Sequence, residues 1–168
     1  MFFYKFKEIL LRFFPLILLY FLSFNSFEIL KNHPNLIIFS FNLPVIIIYF
    51  YVLKLPHALG HGHIFTAGII NDIVVGIPLG ISSLSYLILA LVTSYIRNVT
   101  IREKMSAEWF TFVPALFFSN FISYIIINNF SNLSIYYIEL LQNSFFTFLF
   151  FPIFYYFFNI LSKLTPKD

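Results

Sequence analysis

Few side chains in this 168-residue sequence are equipped to do chemistry, and their spacing narrows what that chemistry could be. Asp72 stands alone inside a long apolar stretch, and His57, His61 and His63 form an H-x3-H-x-H array just upstream of it. An acid near the middle of a membrane helix costs about 2.5–3.5 kcal/mol on insertion scales. Asp72 is therefore expected to face a protein interior and to find hydrogen-bond donors there. It would serve either as a proton or ion site, or as a tie to the turn that follows, through backbone N–H groups or the neighbouring Asn71 and serines. The tie, or a polar contact with a partner, is the preferred reading. The histidines could in principle bind zinc, but such a site needs further ligands and a supporting shell. The segment offers no carboxylate for that, so a solvated loop is the preferred reading and no metal is expected.

Other chemistry is excluded by what is missing. With no cysteine, disulfides, thiolate metal sites and cysteine nucleophiles are all ruled out. The chain contains no nucleophile elbow, P-loop, HExxH or Rossmann glycine pattern. Glu139 lies in a predicted outer loop, so no second carboxylate joins Asp72 within the membrane. No catalytic site assembles, no cofactor is implied, and the expectation is a non-enzyme.

The elements that must position Asp72 follow from composition. Hydrophobic residues make up 60% of the chain and charged residues 10%, with mean hydropathy +0.89. Soluble domains carry about 25% charged residues, so this chain cannot cover its apolar surface from water and lipid must do so. The 26 Phe and 11 Tyr are spread along the whole length and read mainly as apolar bulk. Some Tyr, and Trp109, fall near predicted span ends, where amphipathic rings settle at headgroup depth.

Crossing about 30 Å of hydrocarbon takes about 20 helical residues. Polar breaks divide the chain into predicted spans at about 9–24, 36–53, 62–75, 82–96, 109–127 and 145–161, within one membrane domain covering 1–168. The start resembles a signal-peptide n-region, but no small-x-small cleavage site follows and the first span is read as uncleaved. The stretch 64–96 would form one helix of about 50 Å, too long for a single crossing, and Gly76, Pro78 and Gly80 within it predict a turn. Residues 134–143 read as a short interfacial helix before the last span. Positive charge tests the count, because Lys and Arg accumulate on the cytoplasmic side. Six spans with both termini inside place Lys5, Lys7, Arg12, Lys54, Arg97, Arg102, Lys104, Lys163 and Lys167 inside and only Lys31 outside. Merging the third and fourth spans destroys that segregation. The formal charge of +3 is too scattered to suggest nucleic acid.

Gly68, Asp72 and Gly76 are four residues apart, a spacing that puts them on one helix face. Small residues on such a face let another helix approach closely in lipid. The surrounding segment, LPHALGHGHIFTAGIINDIVVGIPLG at 55–80, resembles the signature region of the bacterial rod shape-determining protein MreD family. There a Pro-bearing loop leads into a glycine-rich helix with an internal Asp and then a Leu-Gly turn. The matching positions are Pro56, His57, Gly62, Phe65, Gly68, Asp72, Gly76, Leu79 and Gly80. Phe41-Asn42 with Pro44 two residues on, and Ile64 where glycine is frequent, depart from the family pattern.

The resemblance implies an all-α, polytopic six-span bundle, similar in architecture to the substrate-binding subunits of energy-coupling-factor transporters. It implies a non-catalytic subunit of the cell-elongation complex in the bacterial cytoplasmic (inner) membrane, acting in cell shape and side-wall peptidoglycan synthesis. Its partners would be an MreC-type bitopic protein and, directly or through it, an MreB-type actin-like filament, a RodA-type glycosyltransferase and its transpeptidase. Those matching residues would then shape the bundle or contact partners. The rival expectation is a vitamin-uptake subunit with a pocket toward the outer face, for which Ser83, Ser85, Asn120 and Ser123 are the polar candidates beside Asp72.

Overall fold

A computed structural model describes residues 13–25, 41–99, 104–130 and 137–164. Six α-helices and no strand occur among the described residues: α1 (Phe13–Asn25), α2 (Leu43–Lys54), α3 (His61–Val75), α4 (Ile81–Val99), α5 (Met105–Phe130) and α6 (Tyr137–Leu164).

Helix α2 forms the centre. Asn42 starts it by accepting the Val45 N–H on its side chain, and Pro44 occupies the first turn, where its missing N–H costs nothing. Residues 44–52 are all buried. A helix apolar on every side belongs inside a bundle, and α2 is enclosed by α4, α5 and α6. Aromatic rings make much of that contact: Tyr49 packs on Phe112 and Phe151, and Phe50 and Tyr51 pack on Phe158. Part of the Phe and Tyr content is thus a specific core, while Phe110, Phe117, Phe121 and Phe145 face outward.

The contacts also fix direction. Thr147 meets Asn42 and Phe158 meets Tyr51, so α6 runs parallel to α2. Arg97 reaches the Val52 carbonyl, which makes α4 parallel as well. Lys54 meets Glu108 and Tyr49 meets Phe112, so α5 runs the opposite way. All described Lys and Arg residues, namely Lys54, Arg97, Lys104 and Lys163, therefore gather at one end of the bundle.

Among the described residues, only α5 and α6 are both long and apolar enough to cross a membrane, over Met105–Asn129 and Leu140–Lys163. Just 28% and 22% of their apolar windows are buried within the protein. The core helix of a soluble domain would be mostly buried, so these helices offer their outer faces to lipid or a partner. Both contain a proline, Pro114 and Pro152, which removes one intrahelical hydrogen bond and favours a bend. The break expected near 54–63 falls at 55–60 and the predicted turn at 76–80 is present. The short interfacial helix expected at 134–143 is not separate: from Tyr137 onward the chain is already α6. The first span's basic start with Lys5, Lys7 and Arg12, the stretch 26–40 with Lys31, and also Arg102 and Lys167, lie outside the described residues.

Candidate functional site

The site is the hairpin formed by α3, the turn at 76–80, and α4. The buried stripe of α3 is Ile64, Ala67, Gly68 and Asp72, the three-and-four spacing of one helix face. This stripe lies against α4. A Cβ at Gly68 would sit 2.4 Å from Ser83 Cα, so the two backbones meet where only glycine fits. Beside this contact the Ser83 hydroxyl donates to the Phe65 carbonyl at 3.0 Å, and the Asn71 amide donates to Ser82 Oγ at 2.9 Å.

Asp72 is fully buried and organises the turn with both its carbonyl and its carboxylate. Its backbone carbonyl accepts from Gly76 N at 2.9 Å and Ile77 N at 3.1 Å. Its carboxylate accepts from Gly80 N on Oδ2 at 2.7 Å and from Ser82 N on Oδ1 at 2.9 Å. Helix α4 begins at Ile81, so the acid caps the N-terminus of the next helix from across the turn. Unsatisfied amide donors concentrate at a helix N-terminus and a negative charge there is favourable. Gly76 and Gly80 have φ of 77° and 103°, a left-handed region that disfavours residues with a Cβ.

The expected glycine seam is therefore shorter than the sequence spacing indicates. Gly76 closes α3 in a left-handed conformation, so only Gly68 and Asp72 share the face against α4. Gly62 meets nothing within 4 Å of a hypothetical Cβ. Phe65 and Leu79 are exposed, at 42% and 69%, His57 is exposed, and Pro56 is half-buried. The structure thus brings Gly68, Asp72, Gly76 and Gly80 to the hairpin's contact and turn, leaves Gly62, Phe65 and Leu79 on its surface, and places Pro56 and His57 in the connection before it.

His57, His61 and His63 are all exposed. His63 Nδ1 lies 3.1 Å from the Tyr20 hydroxyl, which also bonds Thr66 Oγ1 at 2.6 Å. The ring thereby links α1 to α3. No three His, Asp or Glu side chains converge to hold a metal ion among the described residues.

A second polar cluster was not anticipated from the sequence. Lys54 at the end of α2 pairs with Glu108 in the first turn of α5, Nζ to Oε1 at 2.5 Å. Glu108 is 4% exposed, and its Oε2 is buried without a hydrogen-bond partner among the described residues. Tyr49 donates to the Glu108 carbonyl at 2.9 Å. The local signal was there: an acid directly before Trp109, in a helix's first turn, complements the helix dipole. The partner 54 residues upstream carried none.

Two of the polar residues named for a ligand pocket, Ser85 and Asn120, bond instead to serines on a neighbouring helix. Ser85 Oγ and Ser119 Oγ are 2.6 Å apart between α4 and α5, and the Asn120 amide donates to Ser144 Oγ at 2.7 Å between α5 and α6. No protein-family model, curated protein or solved structure matches this chain.

Proposed function

We propose that this chain is a non-catalytic, multi-pass subunit of the bacterial cytoplasmic membrane that serves cell elongation, as its resemblance to the MreD family implies. The observation that carries the proposal is the ungapped run of matching residues at 55–80, within which Gly68, Asp72, Gly76 and Gly80 have definite structural work. Gly68 admits α4, Gly76 and Gly80 shape the turn, and Asp72 ties the two helices together. Those roles are architectural, as expected of a scaffold that presents surfaces to other membrane proteins.

On this reading six helices span the bilayer with both termini cytoplasmic. The gathering of Lys54, Arg97, Lys104 and Lys163 at one bundle end supports that orientation through the preference of cations for the cytoplasmic side. The mutual pairing of Ser85 with Ser119 and of Asn120 with Ser144 favours an interaction subunit over an uptake subunit, because those groups are already occupied. An MreC-type bitopic protein is the expected direct partner, with the actin-like filament, the glycosyltransferase and its transpeptidase reached directly or through it.

Co-purification from detergent-solubilised membranes with an MreC-type partner is the decisive test. Depletion in a rod-shaped host should round the cells. Normal shape with a vitamin requirement would reject the proposal in favour of an uptake subunit.

A further inference from the structure

Helix α6 carries a gap in its own hydrogen bonding. In an α-helix each N–H donates to the carbonyl four residues earlier. Pro152 has no N–H, so the Phe148 carbonyl loses its helical donor. Prolines are tolerated inside membrane helices where a neighbouring helix supplies what is missing. Here α5 supplies it: the Trp109 indole Nε1 donates to the Phe148 carbonyl at 2.9 Å. The same indole stacks on the Phe148 ring, with centroids 5.1 Å and planes 20° apart.

An indole at a span end commonly turns its N–H to the headgroups. Trp109 is instead half-buried and turned onto α6. The residue before it helps to fix that direction. Glu108 pairs with Lys54 of α2, so adjacent residues in the first turn of α5 fasten it to α2 and to α6. Close by on α5, Phe112 stacks on Phe151 with ring centroids 4.6 Å apart. Before Pro152, α6 is thus fastened to α5 through Ser144, Phe148 and Phe151, with Thr147 at the entry of α2. Beyond Pro152, Tyr155 and Phe158 pack on Phe50 and Tyr51 of α2.

We infer that Trp109 is a latch on the interruption at Pro152: it takes the carbonyl that the proline releases, and so fixes the direction of the first half of α6 relative to the second. The consequence reaches the surface. Outward residues of α6 lie on both sides of Pro152, Phe145 and Leu149 before it and Ile153 and Ile160 after it. The latch therefore sets the shape of the face that α6 offers to its surroundings. It is a property of the bundle and holds whether or not the chain serves cell elongation.

Trp109→Phe keeps a ring to stack on Phe148 and removes the donor. Pro152→Ala returns an N–H to α6 for the Phe148 carbonyl. The full-length parent, both single variants and the double variant are unfolded by dodecyl sulfate in mixed micelles and followed by circular dichroism. In the parent background Trp109→Phe should raise the unfolding equilibrium constant about tenfold or more, as a stranded buried acceptor does. In the Pro152→Ala background the same substitution should leave it nearly unchanged. Equal effects in the two backgrounds overturn the latch, because a ring that only packs is missed as much in either. A measurement on the parent covers the case of a variant that does not fold. The chain has one tryptophan, so the isotope-labelled protein gives a single indole N–H signal in a proton–nitrogen correlation spectrum. That proton should exchange with deuterated water about tenfold or more slowly than the indole of N-acetyltryptophanamide in the same micelles. Exchange at the rate of the free indole overturns the latch whatever the variants do.

Discussion

A carboxylate held by two backbone N–H groups is hard to replace, and Asp72 is the clearest case in this protein. In Asp72→Ala the N–H groups of Gly80 and Ser82 lose their acceptors, and a buried unsatisfied donor costs about 1–3 kcal/mol. The expected outcome is a marked fall in thermal midpoint in detergent. Asp72→Asn keeps one acceptor oxygen and should fall between that variant and the parent. Equal stability of all three proteins would remove Asp72 from the role assigned to it.

The Lys54–Glu108 pair makes a different prediction. Breaking a buried pair from one side costs about 3–5 kcal/mol, and here somewhat less, since the Lys54 side chain is 26% exposed. Lys54→Met should be strongly destabilising, because it strands a carboxylate whose Oε2 already has no hydrogen-bond partner among the described residues. Lys54→Met combined with Glu108→Leu should recover much of that loss, so the two substitutions should be non-additive in a thermal-unfolding cycle.

At the scale of elements, glycine substitutions read out the hairpin. Gly68→Ala drives a Cβ to 2.4 Å from the α4 backbone, a clash that only a shift of α3 relieves, and overpacking of this kind costs about 1–3 kcal/mol. Gly62→Ala meets open space within the same helix and should be neutral or stabilising by up to about 1 kcal/mol. Gly76→Ala and Gly80→Ala also meet open space, yet each should lose about 1–2 kcal/mol because their φ values are positive. Ranking the four variants by thermal midpoint checks the assignment, and a Gly62→Ala variant less stable than Gly68→Ala would contradict it. The same hairpin shows how much of the fold the sequence discloses. The turn was legible because Gly, Pro and Gly interrupt an apolar run too long for one crossing. Asp72 was legible because acids are costly inside apolar helices. The end of α3 was not, because a four-residue spacing continues a helix face on paper, while the left-handed Gly76 ends the helix. Nor could spacing reveal that α2 is the centre: its apolar run looks like any span, and only its neighbours show that lipid never reaches it. The Lys54–Glu108 pair joins residues whose proximity depends on how α2 and α5 pack, a tertiary fact with no local trace.

The whole molecule combines exposed apolar flanks with one cation-bearing end. Helices α5 and α6 present Phe117, Phe121, Leu149 and Ile153 outward, while the described cations collect at the end where α2, α4 and α6 finish and α3 and α5 start. Exposed apolar sides require lipid or protein cover, and a bundle with cations at one end has a preferred direction across a membrane. The cytoplasmic end should then be the Lys54 end. A periplasm-activated phosphatase fused after Lys163 should be inactive, whereas the same reporter fused at Asn129, where α5 ends on the opposite side, should be active. The contrast is strong because the two sites close consecutive helices, α5 and α6, that run in opposite directions, so no tilt or shift of the bundle could bring them to one face. Replacing Arg97 and Lys104 with Gln should weaken the bias and let part of the population insert inverted, read as rising activity of the Lys163 fusion. An active Lys163 fusion in the parent, or an inactive Asn129 fusion, would invert the assigned orientation and with it the face on which partners are sought.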